Sequence, residues 1–369
     1  MIPKEHAHIV VAAITHPGMS GKNNEDRYGV SAHLLSEDEP IPSLLAIVAD
    51  GIGGHQAGEI AAEIAVDTIS GIVAESRGAD PQGILEKAIV AAGQAVHAQS
   101  TLDTTQHGMG STCACAWVID RQLFTATVGD SRIYLLRDGQ IRQLSVDHTW
   151  VQEAIEFGII TPDQARGHPQ AHIIRRYLGS KSATEVDFRM MLEDGQSNEQ
   201  AVANQGTQML PGDGLVLCSD GLTDLVDDNE IWASVTQNSL EDGLQKLVDM
   251  ANARGGHDNI TIVTLKIPKD EQINIKPKQK TSKKLLWVAG VLAALLMVLL
   301  VAVLAFFAWR FTNTPSTPSP MPQSTLPAVM ETQPPPTQTQ LIAPTTAATP
   351  TPESTPIRET YTPWPTSTP

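Results

Sequence analysis

Ser43-Leu44-Leu45-Ala46-Ile47-Val48-Ala49-Asp50-Gly51-Ile52-Gly53-Gly54-His55 is an apolar run that stops on an aspartate and a glycine-rich turn. A short, continuous apolar segment closed by glycine reads as a buried strand over 44–49, with Asp50 at its end. Four more aspartates sit in comparable turn-like settings: Asp26 in Asn23-Asn24-Glu25-Asp26, Asp130 in Gly129-Asp130-Ser131-Arg132, Asp220 in Cys218-Ser219-Asp220-Gly221, and Asp258 in Gly256-His257-Asp258-Asn259. Several of these also follow strand-like runs. Carboxylates gathered at strand ends can converge on divalent cations, and hard oxygen ligands suit Mg²⁺ or Mn²⁺.

The 369 residues are not uniform. Residues 1–268 have the composition of one large globular domain. Residues 269–284 are Lys-rich, 285–309 are apolar, and 310–369 are rich in Pro, Thr and Ser. The formal net charge of −16 argues against a nucleic-acid binder, which normally presents a basic face. The three cysteines, Cys113, Cys115 and Cys218, lack zinc spacing and read as buried side chains of a protein in a reducing compartment. The apolar stretch 9–14 is too short for a signal peptide and reads as a strand.

Segment 285–309 carries no charge and would form a helix of roughly 37 Å, enough to cross a hydrocarbon core of about 30 Å with some tilt. Trp287 and Trp309 stand near its ends as interfacial residues do. Five lysines (276, 278, 280, 283 and 284) precede it and only Arg310 follows at once. The expectation is a single-pass membrane protein with the large domain in the cytoplasm and the tail outside. The tail itself, crowded with proline, reads as disordered and locally extended.

Within the globular part the pattern predicts strands at 9–14, 44–49, 111–119, 123–128, 133–136, 188–192, 215–218 and 260–267. Helices are predicted at 57–75, 82–99, 150–157, 163–166, 229–236 and 240–253. Short polar turns at 120–122 and 137–140 predict antiparallel hairpins. Residues 193–208 read as a surface loop. Helices in pairs between blocks of strands predict an α+β layered fold with helices over antiparallel sheets.

The ordered motifs carry a resemblance. Asn24-Glu25-Asp26, Asp50-Gly51-Ile52-Gly53-Gly54-His55, Gly58-Glu59, Gly110-Ser111-Thr112, Val128-Gly129-Asp130-Ser131-Arg132, Asp147-His148, His168-Pro169, Arg176-Tyr177-Leu178-Gly179, Pro211-Gly212-Asp213, Leu217-Cys218-Ser219-Asp220-Gly221-Leu222 and Gly256-His257-Asp258-Asn259 follow one another over the whole domain. The chain resembles the bacterial PP2C-type, or PPM, metal-dependent protein Ser/Thr phosphatases. That resemblance implies an α-β-β-α sandwich of two antiparallel sheets flanked by helices, with two Mn²⁺ or Mg²⁺ ions between the sheets and a third, weaker ion. It implies that Asp50 bridges the pair, the Gly51 carbonyl binds one ion, Asp220 and Asp258 hold the other, Glu25 and Asp26 act through water, and Asp130 supports the third. Asp50, Asp220 and Asp258 are thus the expected catalytic residues, with Lys22, His55 and Asn259 on the substrate side.

The chemistry is that of a dianionic phosphomonoester, which repels hydroxide until two cations neutralise it and acidify a shared water. The resemblance thus implies hydrolysis of phosphoserine or phosphothreonine by a metal-activated water, with no cysteine nucleophile. Family members carry an Arg where Gly21 stands, and it contacts the phosphate; Lys22 beside it offers a point charge but not a bidentate fork. Residues 148–172 are expected to form a flap beside the cleft. Substrates implied by the resemblance are cytoplasmic phosphoproteins, including a Hanks-type kinase. A reading from another class is a catalytically silent module that binds a partner and signals across the membrane; the presence of Asp50, Asp220 and Asp258 together speaks against it. A calcium-binding domain of the EF-hand type lacks its contiguous ligand loop.

Overall fold

The computed structural model describes residues 1–38, 40–53, 57–102, 104–165 and 167–269. The chain opens with strands β1 (Ile2–Pro3), β2 (Val10–His16), β3 (Arg27–Leu34), β4 (Pro42–Ala49) and β5 (Gly51–Ile52). Helices α1 (Ala57–Glu75) and α2 (Pro81–Leu102) follow, then β6 (Gly110–Ser111), β7 (Cys113–Ile119), β8 (Gln122–Val128), β9 (Arg132–Arg137) and β10 (Gln140–Gln143). After α3 (Trp150–Glu156), α4 (Pro162–Ala165) and α5 (Asn198–Ala203) come β11 (Thr207–Gln208), β12 (Gly214–Cys218), α6 (Asp220–Thr223), α7 (Asp228–Gln237), α8 (Leu240–Ala253) and β13 (Ile260–Lys266).

The strands form two large antiparallel sheets, in the orders β1-β3-β4-β7-β8-β11 and β10-β9-β12-β13-β2, with β5 and β6 as a small separate pair. Side-chain alternation builds three apolar layers from them. Leu44, Ala46 and Val48 of β4 meet Leu215 and Leu217 of β12 and Val263 and Leu265 of β13 between the sheets. The opposite face of β4, Leu45 and Ile47, packs with Trp117 under α1 and α2. Tyr134 and Val216 on the other sheet pack under α7 and α8, against Ile231, Leu244 and Val248. This is the α-β-β-α sandwich expected, and it explains why β4 is a continuous apolar run from Leu44 to Ala49: both of its faces are buried. Cys113 and Cys115 lie side by side in the helix-facing layer, and Cys218 is buried under α7 and α8.

Three local expectations change. Strand β3 is not among the expected strands, although Tyr28, Val30, Ala32 and Leu34 alternate with small or polar residues at the period of a strand. Its other face is made of small or polar residues for a packing reason: a Cβ on Gly29 would come within 2.7 Å of Val66 Cγ1 on α1. No strand forms over 188–192; this stretch is tied to the sheet by the isolated bridge Thr127↔Asp187 and by the Met190 N–H donating to the Ala201 carbonyl. Finally, 193–208 is not merely a loop. Ser197 and Gln200 make a reciprocal capping box that starts α5, and β11 pairs with β8.

Both hairpins form, β7–β8 across Ile119↔Gln122 and β9–β10 across Arg137↔Gln140. At α8 the Ser239 hydroxyl accepts from the Asp242 N–H and caps the helix. Among the described residues no helix is long and apolar enough to cross a membrane. The expected spanning segment 285–309, the tail 310–369 and all but the first residue of the lysine-rich linker lie outside the described residues.

Candidate metal centre

Strand pairing brings the aspartates together at one end of the sandwich. Arg27 of β3 pairs with Ala49 of β4, so Asp26 and Asp50 are neighbours at the end of one sheet. In the other sheet Cys218 of β12 pairs with Ile262 of β13, and the Ser219 N–H continues the ladder to the Thr261 carbonyl. Asp220 and Asp258 therefore flank one strand junction. Asp130 lies in the connection from β8 to β9, one of the places where the chain crosses between the sheets.

A set of hydroxyl and amide groups holds these loops. The Thr112 hydroxyl accepts from the Asp50 N–H at 2.9 Å and shares a 2.7 Å hydrogen bond with Ser131, while the Thr112 N–H donates to the Asp50 carbonyl at 2.8 Å. One threonine thus links the Asp50 turn to the Asp130 turn. The Ser219 hydroxyl donates to Asp26 Oδ2 at 2.7 Å and accepts from the Thr261 N–H at 3.0 Å, joining the two sheets. Arg27 pairs with Glu59 of α1 and donates to the carbonyls of Asn24 and Asp26. Behind Asp130, His148 Nδ1 accepts from the Gly129 N–H at 3.0 Å, and His148 Nε2 lies 3.0 Å from Asp187 Oδ2.

Close backbone approach is built in. A Cβ on Gly51 would fall 2.2 Å from the Gly58 carbonyl oxygen and 2.6 Å from that of Glu25. A Cβ on Gly58 would fall 2.8 Å from Glu25 Oε2. The Gly51 peptide, the start of α1 and the Glu25 carboxylate therefore share one cramped corner. Gly221 is similarly constrained, since a Cβ there would stand 2.0 Å from the Asn259 carbonyl oxygen. That contact seats the first turn of α6 against the Asp258 loop.

The electrostatics of the bare cluster are unfavourable. Loss of hydration, opposed by hydrogen bonds from Ser219 and Thr261 but reinforced by the charges of Asp220 and Asp258, pushes Asp26 up to about 7. Asp50 is driven well above the ordinary carboxylate range by burial and by Asp26, Asp220, Asp130 and Asp258. Burial and then Asp220 raise Asp130 to about 8; burial and then Asp224 raise Asp220 to about 6. The Asp50 and Asp220 carboxyls lie within hydrogen-bonding reach of each other. Among the described residues Asp26 Oδ1, Asp130 Oδ1 and Asp220 Oδ1 are buried without a hydrogen-bond partner. Clustered carboxylates that repel one another and point unused oxygens inward fit divalent cations.

A family model described as protein phosphatase 2C matches residues 19–255. The chain belongs to the protein phosphatase 2C family. The serine/threonine protein phosphatase PstP of Mycobacterium tuberculosis is 32% identical over 252 residues, 68% of this chain; the match spans 44% of that relative's length. The protein phosphatase PhpP of Streptococcus pneumoniae is 33% identical over 266 residues, covering 71% of this chain and 98% of PhpP. A solved structure of the PstP catalytic domain in complex with two manganese ions superposes with a TM-score of 0.56 at 29% identity, covering 70% of this chain and 98% of that one.

Of the residues singled out from the sequence, Glu25, Asp26, Asp50, Gly51, Asp130, Asp220 and Asp258 belong to this one end of the phosphatase 2C sandwich. Lys22 is exposed on the loop 17–26 that delivers Glu25 and Asp26. His55 lies outside the described residues. Asn259, expected on the substrate side, is buried with its amide engaged: Oδ1 accepts from the Glu25 N–H at 2.7 Å, and Nδ2 donates to the Pro17 and Asn23 carbonyls, both at 3.1 Å. Asn259 is thus an organiser of the metal loop.

The structure adds residues that sequence reasoning passed over. His172 Nδ1 lies 3.2 Å from Asp224 Oδ2, and one ligand atom each from His172, Asp220 and Asp224 fall within 4.8 Å of one another. Asp224 could have been found from its spacing, one helical turn after Asp220. Nothing local flags His172, which the segment 148–172 brings beside Asp220 and Asp224. That segment is anchored by His168 stacking on Trp150 with ring centroids 5.0 Å apart and by the Arg175 N–H donating to the His148 carbonyl.

Proposed function

We propose that this chain is a metal-dependent phosphatase of phosphoserine and phosphothreonine in proteins. The observation that carries the reading is the convergence of five aspartates from both sheets, three of them with buried, unpartnered oxygens. Asp50, the Gly51 carbonyl, Asp220 and Asp258 are the groups that would hold two Mn²⁺ or Mg²⁺ ions, with Glu25 and Asp26 facing the same space and Asp130 beside a third, weaker position. When bound, such ions supply charge neutralisation for the phosphate dianion and a water acidic enough to attack phosphorus.

The chain's own residues then have defined tasks. Thr112 and Ser219 fix the carboxylates so that little reorganisation accompanies reaction. Lys22, exposed on the loop that carries Glu25 and Asp26, is the residue we assign to meet the phosphate as a point charge. The segment 148–172 borders the cleft and limits which phosphoprotein surfaces enter.

Hydropathy and lysine distribution support anchoring through 285–309, with the catalytic domain cytoplasmic and the tail outside. Kinship with PstP and PhpP, both named as protein phosphatases, supports phosphoproteins as substrates, and the family resemblance of the motifs points to a Ser/Thr kinase of the Hanks type among them. The test uses the full chain in detergent, with phosphate release from p-nitrophenyl phosphate and from a phosphothreonine peptide followed with and without Mn²⁺. Turnover that requires the metal and is lost in Asp220→Asn is the expected result. Metal-independent turnover, or turnover that survives the substitution, rejects the proposal.

A further inference from the structure

The metal chemistry leaves the motif Asp147-His148 unused. His148 is nonetheless only 3% exposed and takes both polar groups of Gly129. Its N–H donates to the Gly129 carbonyl at 2.9 Å, and its imidazole Nδ1 accepts from the Gly129 N–H at 3.0 Å. An accepting Nδ1 puts the imidazole proton on Nε2, which donates to Asp187 Oδ2 at 3.0 Å. Asp187 is fixed in turn. Its backbone exchanges hydrogen bonds of 2.9 and 3.0 Å with Thr127, two residues before Gly129. Its carboxylate accepts from the Arg189 N–H and guanidinium, and Arg189 also reaches Glu156 on α3. Thr127, Gly129, His148 and Asp187 thus close a hydrogen-bonded circuit behind the Asp130 turn.

The turn needs that support. Gly129 has a φ of +105°, outside the range that L side chains favour, and a Cβ there would stand 2.6 Å from Thr112 Cγ2. The Asp130 carboxyl takes a hydrogen bond from its own N–H, while Oδ1 is buried with no hydrogen-bond partner. Its direction therefore follows the backbone. Thr112 holds the turn at Ser131, and His148 holds it at Gly129. The flap is tied to the same residue: the His148 carbonyl accepts from the Arg175 N–H at 2.7 Å, and Thr149 bridges to Ile174.

We propose that His148 is a positioning residue of the metal centre. Its imidazole, locked by Asp187, fixes the Gly129–Asp130 turn and so aims the Asp130 carboxyl at the weaker ion position. This inference rests on the reading of Asp130 as facing that ion.

Two isosteres of histidine separate the two ends of the imidazole. His148→Asn keeps an acceptor where Nδ1 stands and removes the bond to Asp187; His148→Gln keeps a donor toward Asp187 and removes the acceptor for the Gly129 N–H. Both are made in the full chain in detergent. Calorimetric titration follows the weakest Mn²⁺ step, identified as the one missing in Asp130→Asn. The expected result is an affinity about tenfold lower in His148→Gln, with kcat reduced and KM unchanged, and an affinity within about twofold of the unaltered protein in His148→Asn. Equal losses in the two variants mark a merely structural role and overturn the proposal; normal affinity in both does the same. Manganese-dependent turnover with no step missing in Asp130→Asn refutes this inference and leaves the catalytic reading standing, whereas absence of that turnover refutes the reading itself. Should His148→Gln not fold, ¹⁵N spectra of the unaltered protein labelled at histidine decide the matter. An imidazole protonated on Nε2, with resonances that shift as Mg²⁺ fills the weak step, is expected. One protonated on Nδ1, or unmoved by the ion, overturns the proposal.

Discussion

At the scale of single residues the centre depends on groups that never need to touch substrate. Thr112 is one: its hydroxyl serves both the Asp50 N–H and Ser131. Thr112→Val keeps the shape and removes both bonds, leaving a buried N–H unpaired. A loss of about 1–3 kcal/mol in stability is expected, together with a fall in kcat and little change in KM for a phosphopeptide. Thermal melts and steady-state kinetics read the two effects separately. Lys22 has the opposite signature. As a point charge for the phosphate it contributes to substrate binding, so Lys22→Ala raises KM more than it lowers kcat, and Lys22→Arg restores KM. An unchanged KM removes Lys22 from the site. Asp50, Asp130, Asp220 and Asp258 were legible in the sequence because each follows a strand-like run or sits in a glycine turn, and Asp26 because it closes the Asn24-Glu25-Asp26 motif. The roles of Thr112, Ser219 and Asn259 were not, because a buried hydroxyl or amide acquires its meaning only from loops remote in sequence: Ser219 reaches Asp26 across 193 residues.

At the scale of elements the aspartates are placed by close contacts between loops and short helices. Helix α6 begins on Asp220 and is pressed against the Asp258 loop through Gly221. Gly221→Ala puts a methyl group into the Asn259 carbonyl, so α6 must shift and carry Asp220 with it. The expectation is destabilisation by about 1–3 kcal/mol and weakened manganese affinity measured by calorimetric titration. Wild-type affinity in this variant contradicts the placement argument. Helices α1 and α8 are legible from their periodicity with their observed bounds, since each buries one clear apolar stripe. Strand β3 differs: α1 lies so close over Gly29 that this face carries no apolar side chains, which leaves the period-2 alternation of Tyr28, Val30, Ala32 and Leu34 in place of a continuous apolar run. Strand β11 and helix α5 escape a sequence reading for another reason: short edge elements are held by capping and bridging hydrogen bonds rather than by apolar pattern.

At the scale of the whole molecule the sandwich tolerates a costly charge cluster because its three apolar layers are continuous. The consequence is a specific pH dependence without metal. The folded-state values of Asp220, Asp26 and Asp130 lie at about 6, 7 and 8, above the ordinary 3.8 of the unfolded chain. The folded protein therefore retains protons that the unfolded chain has released. The stability these groups contribute is complete below about pH 4 and is lost as pH rises through 6 to 8. In chelator the melting temperature should fall between pH 5.5 and 8, and Mn²⁺ should raise it most at the alkaline end, where the carboxylates are free to bind. A metal-free melting temperature that rises across this window contradicts the electrostatic account.

The most direct measurement is anomalous scattering from a crystal of the protein soaked in manganese. Two peaks about 3.5–4 Å apart, with Asp50 between them and Asp220 and Asp258 on one of them, are the predicted result. Manganese found only at other surfaces, with the space among these carboxylates empty, contradicts it.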